Sequence, residues 1–304
     1  MFYVKGEQHA LMRKPEWLRI NVPSGNNYVK VKQTLSRWSL HTVCEEARCP
    51  NVAECWGGGT ATIMIMGDLC TRHCRFCAVK SRFKSDSLDH TEPFRTAKAI
   101  KEWGLRYVVI TSVCRDDIED GGAGHISSTV RALKKICPKT IIETLIPDFQ
   151  GNASFLEKIV SSKPEVISHN IETVSRLTPK VRDGRASYNQ SLQVLKKIKE
   201  LDSKIFTKSS IMLGVGETDD EVVQSAHDLR SAGVDIITIG QYLQPTAKHL
   251  PVAQYLTPER FRWFKEVIEQ MGFKYVAAGP LVRSSFRAGE LFLDNVIGSP
   301  ECES

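Results

Sequence analysis

The sequence predicts an α/β fold: a partial (β/α)6-type TIM barrel with an N-terminal extension and a short C-terminal one. Three observations predict it. From about residue 61 onward, apolar β-rich runs alternate with amphipathic helical patterns, and such alternation builds parallel βαβ units. No G-x-G-x-x-G follows the first run, which weakens an open dinucleotide-binding sheet. A chain of 304 residues is long for one ordinary domain but suits a barrel with extensions.

The strand candidates are 61–66 ("ATIMIM"), 105–112, 139–146, 165–171, 204–213, 234–240 and 273–279. Between them lie helical patterns such as "RTAKAIKEWG", "ISSTVRALKKIC", "SFLEKIVSS", "SLQVLKKIKEL" and "DEVVQSAHDLRSAG". Thr218 with Glu221 has capping-box spacing, and Pro258 after Thr257 suits a first helical position. The chain divides into an extension over 1–60, a barrel over 61–280 and a C-terminal segment over 281–304, whose "GSPECES" reads as a frayed tail. There is no internal repeat and no low-complexity segment.

Hydrophobic residues at 41% and charged ones at 25% fit an ordinary globular protein with a substantial core. No apolar run approaches the roughly 20 residues that span a bilayer. The opening "MFYVKGEQHALMRKPEWLRI" lacks the apolar core of a secretory signal and the Ser/Arg richness of a transit peptide, so a cytoplasmic protein is expected. The net charge of +6 is spread along the chain. It gives a mild bias toward acidic partners and is too diffuse to argue for nucleic acid.

Nine cysteines are present, and six of them fall between Cys44 and Cys77. Bunched cysteines indicate metal ligands more than a disulfide framework, and a metal reading agrees with a reducing compartment. "CTRHCRFC" sets Cys70, Cys74 and Cys77 as C-x3-C-x2-C directly after the first strand candidate, where barrel enzymes place reactive groups. Soft thiolates select iron–sulfur clusters, zinc or Cu(I). Structural zinc closes its shell with four ligands, and His73 is the only nearby fourth. A cubane held by three cysteines leaves one iron open to a small molecule.

C-x3-C-x2-C with an aromatic, here Phe76, before the last cysteine resembles the radical S-adenosylmethionine (SAM) superfamily. The resemblance implies a [4Fe-4S] cluster on Cys70, Cys74 and Cys77 whose open iron chelates SAM. Reductive cleavage would then give a 5′-deoxyadenosyl radical that abstracts hydrogen from unactivated carbon. Upstream, "CEEARCPNVAEC" spaces Cys44, Cys49 and Cys55 as C-x4-C-x5-C, and this pattern resembles the lipoyl synthase family. So do "TSVCRDDIEDGGAGH", "SHNIETV", "VRDGRASYNQSL", "KSSIMLGVGET", "GQYLQPTAKHLPV" and "AAGPLVRSSFRAGE", over about residues 15–290.

That resemblance implies a second, auxiliary [4Fe-4S] cluster on Cys44, Cys49 and Cys55, with a serine of the "RSS" motif as fourth ligand. Here the serine is Ser285, with Ser284 as nearest rival. Phe286 stands where the family commonly has tyrosine, so a ring is kept and a hydroxyl lost. The implied reaction is insertion of two sulfur atoms, drawn from the auxiliary cluster, at C6 and C8 of a protein-bound octanoyl-lysine. Implied partners are octanoylated lipoyl carrier domains (2-oxoacid dehydrogenase E2 subunits and glycine cleavage H protein), an electron donor such as ferredoxin or flavodoxin, and an iron–sulfur cluster carrier. The alternatives are another radical SAM sulfurtransferase of biotin-synthase type and, outside enzymes, a zinc-dependent interaction module.

The SAM pocket is expected from strand-end motifs. Asn170 and Glu172 are candidates for the ribose or amino group, and Arg185 for the carboxylate. Gly214 and Gly216 are candidates for close backbone approach to a ligand. Arg115, Asp116 and Asp117 are expected to order the mouth of the site. Cys114, Cys137 and Cys302 fit no ligand spacing, and His41, His125, His169 and His249 read as ordinary structural histidines.

Overall fold

The structure, a computed structural model, describes residues 13–19, 26–46, 49, 51–57, 62–84 and 87–285. Its N-terminal part contains α1 (Asn26–Trp38), β1 (His41–Thr42), α2 (Val43–Glu46) and α3 (Val52–Gly57). Then come β2 (Thr62–Ile65), a short pair β3 (Leu69–Cys70) and β4 (Lys80–Ser81), α4 (Glu92–Trp103), β5 (Tyr107–Ser112), α5 (Ala123–Ile136) and β6 (Ile141–Leu145). The second half runs α6 (Ala153–Val160), β7 (Val166–Ser168), α7 (Thr178–Val181), α8 (Tyr188–Leu201), β8 (Phe206–Leu213), α9 (Asp219–Ser231), β9 (Ile236–Gln241), α10 (Pro258–Glu269) and β10 (Tyr275–Gly279).

All seven strand candidates appear, as β2 and β5 through β10, hydrogen-bonded in chain order. Every pair from β2 to β10 is parallel, and β1 adds antiparallel to β2. The parallel strands therefore number seven rather than six, because the run at 273–279 pairs with β9 through Tyr275↔Ile236 to Gly279↔Gly240. The near-continuous apolar character of these strands follows from helices covering the outer face. The capping box forms as spaced: Thr218 accepts from the Glu221 backbone N–H, and the Glu221 side chain reaches back to Thr218. Thr257 caps α10 ahead of Pro258.

Inside the sheet, toward the strand starts, Glu143 accepts from both Lys208 Nζ, at 2.9 Å to each oxygen, from Ser168 Oγ at 2.5 Å and from Tyr107 Oη at 2.5 Å. A buried charge is tolerated there because each carboxylate oxygen has two donors.

The N-terminal extension is more regular than its sequence suggests. Val31 and Leu35 of α1, Cys44 of α2 and Trp56 of α3 belong to one apolar core with Ile63, Ile65, Ile100 and Val130 of the barrel's first half. The Tyr28 and Trp56 rings meet at 5.0 Å between centroids. Trp17 donates to the Leu256 carbonyl at 3.2 Å, so the extension also reaches the barrel's far end. Phe286, Cys302 and the "GSPECES" tail lie outside the described residues.

Candidate functional site

The C-terminal ends of the parallel strands open into one cavity of about 530 Å3. That lies within the usual range for small-molecule sites, roughly 300–1,000 Å3. Cys70, Cys74 and Cys77 line it, as do Cys44 and Cys49 of the upstream triplet and both Ser284 and Ser285. Cys55, on α3, packs against the apolar core and is not part of the lining. Two cysteine groups and the serine pair, remote in sequence, thus meet at one mouth.

The loop after β2 is held from several sides. Thr71 N–H donates to the Cys114 carbonyl at 3.0 Å, and Arg75 N–H to the Val181 carbonyl at 2.9 Å. Leu250 N–H donates to the Arg75 carbonyl at 2.9 Å, and His249 Nε2 donates to the Cys77 carbonyl at 3.0 Å. His249 therefore has a specific task that its isolation in the sequence conceals. Two thiol sulfurs accept from backbone N–H groups: Cys70 from Arg72 and Cys74 from Asp183, each at 3.4 Å.

Arg72, inside the C-x3-C spacing, is 4% exposed. Its guanidinium grips Asp148 through two bonds of 2.7 Å and Asp116 through bonds of 2.8 and 2.9 Å. Bidentate forks of this kind fix geometry as well as charge. Burial would raise the Asp148 carboxyl, but Arg72 outweighs it and holds the group at about 2. Asp117 turns the other way and pairs with Arg115 at 2.8 Å. The adjacent acids of "RDD" thus serve two different arginines, and Asp116 is the one tied to the cysteine loop.

Burial pushes the Cys74 thiol up to about 11, Cys77 up to about 12 and Cys44 up to about 11. Cys70 moves the other way, because the Cys114 thiol donates to its sulfur. Most of these sulfurs therefore keep their protons until a metal displaces them. Among the described residues no three His, Cys, Asp or Glu side chains converge closely enough for a single ion. His73 is exposed and is not among the residues that line the cavity with these thiols. Thiols spread around a roomy cavity instead fit a polynuclear group with soft ligands.

On the opposite wall, Asn170 and Glu172 line the cavity as expected. Asn170 Nδ2 donates to Glu172 Oε1 at 3.1 Å, while its buried Oδ1 has no partner among the described residues. Glu172 is held at φ 68°, a conformation that a non-glycine residue adopts only when its surroundings demand it. Burial raises its carboxyl, opposed by Arg182 and Asn170. An unpartnered acceptor beside a strained carboxyl is what a ligand carrying amino and hydroxyl donors would satisfy.

Arg185 and the two glycines are placed differently. Arg185 lies outside the cavity lining: it pairs with Asp183 at 2.8 Å and Asp116 at 3.2 Å and donates to the Thr71 carbonyl at 2.6 Å. The arginines that line the cavity are Arg72, Arg182 and Arg283, and the one whose charge acts on Glu172 is Arg182. It donates to Ser191 Oγ at 2.7 Å, Ser191 lies 2.9 Å from His169 Nε2, and His169 Nδ1 lies 2.9 Å from the Ile146 carbonyl. The chain is self-consistent only if Nδ1 carries the proton. Burial, then Arg182, lowers His169 to about 4, so it is neutral near pH 7.

Gly214 (φ 95°) does permit close approach, but of the chain's own Gln241 side chain and Gln254 carbonyl. The Gly216 carbonyl accepts from Arg176 at 2.9 Å. Gly240, unmarked in the sequence reading, is the glycine that shapes the site: a Cβ there would collide with the Val282 carbonyl. It lets the segment before Ser284 cross the end of β9. Asn51 Nδ2 holds the same segment by donating to the Leu281 carbonyl at 2.6 Å.

Comparison with known proteins agrees with this geometry. Residues 64–229 match the radical SAM superfamily model, and residues 3–49 match the model for the N-terminal domain of lipoyl synthase. The mitochondrial lipoyl synthase of Rattus norvegicus is 55% identical over 298 residues, covering 96% of this chain and 79% of that protein.

The chain belongs to the lipoyl synthase family.

A lipoyl synthase of Anaeromyxobacter sp. (strain Fw109-5) is also 55% identical, covering 94% of this chain and 97% of its own length. Among solved structures, methylornithine synthase aligns with a TM-score of 0.52 at 14% identity over 83% of this chain and 85% of its own. Streptococcus suis SuiB bound to S-adenosylmethionine aligns at 0.56 and 13% over 75% and 53%. At such identities these two show a shared fold. As a radical SAM enzyme of the lipoyl synthase family, the chain works with SAM and iron–sulfur chemistry. The cytoplasmic expectation is narrower than the relatives support, since the rat protein is named mitochondrial and the bacterial one carries no compartment. Among the described residues no helix is long and apolar enough to cross a membrane.

Proposed function

We propose that the chain inserts two sulfur atoms, at C6 and C8, into an octanoyl group amide-linked to a lysine of a lipoyl carrier domain, giving N6-lipoyl-lysine. The observation that carries this reading is the meeting of Cys70, Cys74 and Cys77 with Cys44, Cys49 and Ser285 around one cavity. In this reading Cys70, Cys74 and Cys77 hold one [4Fe-4S] cluster, and Cys44, Cys49, Cys55 and Ser285 hold the second. When bound, the clusters supply the electron that cleaves SAM and the sulfide that enters the product. The chain's residues supply position and dryness. Arg72 fixes the loop between the buried Asp148 and the half-buried Asp116 carboxylates, His249 and Leu250 cover it, and the backbone N–H groups of Arg72 and Asp183 stabilise negative charge on sulfur.

Asn170 and Glu172 receive the amino and hydroxyl groups of SAM. For its carboxylate, Arg182 is better placed than Arg185, because Asp183 and Asp116 already engage Arg185. Gly214 and Gly216 act by shaping the β8 turn. His169, neutral and bonded on both nitrogens, orients Arg182 through Ser191 and moves no proton. Ser285 offers an oxygen to iron otherwise held by sulfur, a harder donor that can leave when sulfide is to react. Octanoylated carrier domains, a low-potential electron donor and a cluster carrier are the partners this chemistry requires.

The test is anaerobic reconstitution followed by iron and sulfide counting, and then turnover of an octanoyl-lysyl peptide with SAM and reductant. About eight irons per chain, as two cubanes require, and a product heavier by two sulfurs are expected. Loaded protein that cleaves SAM yet leaves the peptide free of sulfur overturns the proposal.

A further inference from the structure

Phe83 is 93% exposed, the most water-facing of the large apolar side chains described. A single exposed aromatic needs no explanation, but its surroundings do. It stands between Arg82 and Lys84, two residues after Ser81, and residues 80–84 are all exposed. Lys80 is paired with Asp68 at 2.8 Å, whereas among the described residues no carboxylate pairs with Arg82 or Lys84. The loop is also bonded to the cysteine site. β4 lies alongside β3 with Cys70 opposite Ser81, Arg82 N–H donates to the Cys70 carbonyl at 2.8 Å, and Ser81 Oγ donates to the Arg72 carbonyl at 2.8 Å. One hydrogen bond therefore separates a basic, aromatic surface from the backbone of a cysteine that we read as a cluster ligand.

We propose that residues 80–84 are the docking surface for the electron donor: a small acidic protein carrying one electron at low potential, which seats an apolar contact on Phe83 inside a ring of its own carboxylates. Basic residues around an aromatic anchor match an acidic partner in charge and in contact chemistry. The electron leaves the reduced carrier, which is oxidised by one unit, and passes through the Arg82–Cys70 hydrogen bond to the group on Cys70, which is reduced by one. No proton or bond need move. Ser81 also lines the cavity, so an acylated carrier domain seated on the same loop is the rival occupant that the experiment separates. The proposal rests on the reading of Cys70 as a cluster ligand, but carrier binding is measured without sulfur insertion, so the two fail separately.

The experiment uses flavodoxin, a small acidic flavoprotein, as probe against the reconstituted full chain and its Phe83→Ser and Lys84→Glu variants. Binding is followed by titration at several salt concentrations, and SAM cleavage is driven by reduced flavodoxin or, separately, by dithionite. Each variant is expected to raise the half-saturating flavodoxin concentration about tenfold, or about 1.4 kcal/mol. Lys84→Glu should also flatten the salt dependence, and cleavage with dithionite should stay within about twofold of the parent. Unchanged flavodoxin binding overturns the proposal. So does an equal loss with dithionite, which would make the loop a support of the cysteine site. A weakened response to the octanoylated carrier domain with flavodoxin unaffected overturns it in favour of substrate docking.

Discussion

Asn51 and Leu281 are joined by a 2.6 Å hydrogen bond across 230 residues of sequence. The bond ties the segment carrying Cys49 and Cys55 to the turn that leads into Ser284 and Ser285. It is the shortest described link between the two parts of the proposed auxiliary site.

Asn51→Leu should therefore separate the two cluster sites. Losing the bond leaves the Leu281 carbonyl without its donor, at a cost of about 1–3 kcal/mol, and loosens the serine segment. Iron per chain is expected to fall from about eight toward about four, with SAM cleavage retained and sulfur insertion lost. Full iron content with normal insertion would contradict the role given to Asn51.

Gly240→Ala tests the same segment from beneath. The added methyl would strike the Val282 carbonyl, a backbone atom that cannot rotate away. The barrel should fold, judged by far-UV circular dichroism, while the charge-transfer absorbance of the auxiliary cluster falls on reconstitution. Retention of both clusters at parent levels would show that the segment adapts.

Arg72→Lys keeps the charge and removes both forks. With Asp148 and Asp116 no longer properly paired, the loss in stability is expected to approach the roughly 3–5 kcal/mol of a broken buried ion pair, measured by urea unfolding. The electron paramagnetic resonance signal of the reduced radical SAM cluster should broaden as its loop loses a single geometry.

Acid should reveal the same pair. The Asp148 carboxyl is depressed from 3.8 to about 2 in the fold. Its contribution, roughly 2 kcal/mol, is complete above about pH 4 and disappears as pH falls toward 2. Asp148→Asn, less stable than the parent above about pH 4 and approaching it near pH 2, should flatten this part of the stability profile. An unchanged slope would place the acid sensitivity elsewhere.

Ser285→Cys exchanges an oxygen for a thiolate that iron holds more firmly. Cluster content should be preserved or raised while sulfur insertion slows at least tenfold. The same rate as the parent would remove ligand lability from the mechanism. Ser284→Cys, made alongside, distinguishes the two serines.

The strands and the cysteine loop were legible because both are local patterns. An apolar run of five or six residues and a C-x3-C-x2-C spacing carry their meaning within a few positions. Arg72 has the opposite character. Its partners stand 44 and 76 residues away, and only the meeting of the β5 and β6 loops brings them together, although Asp148, three residues past β6, obeyed the strand-end rule. Arg182 and Arg185 are three positions apart, yet the turn after α7 sends one to the cavity and the other to Asp183. Periodicity does not encode that choice. Gly240 was hidden because its constraint comes from a carbonyl 42 positions later, while Gly214, which stood out, admits the chain's own Gln241 and Gln254.

Cys44 and Trp56 are held by the same apolar core as Ile63 and Ile65 of the barrel wall. The upstream cysteine segment thus owes its place to the protein and not to whatever its sulfurs bind. A molecule that has given up its auxiliary sulfide would be left as a shaped, empty socket, ready for reloading in place, with no need to unfold and start again.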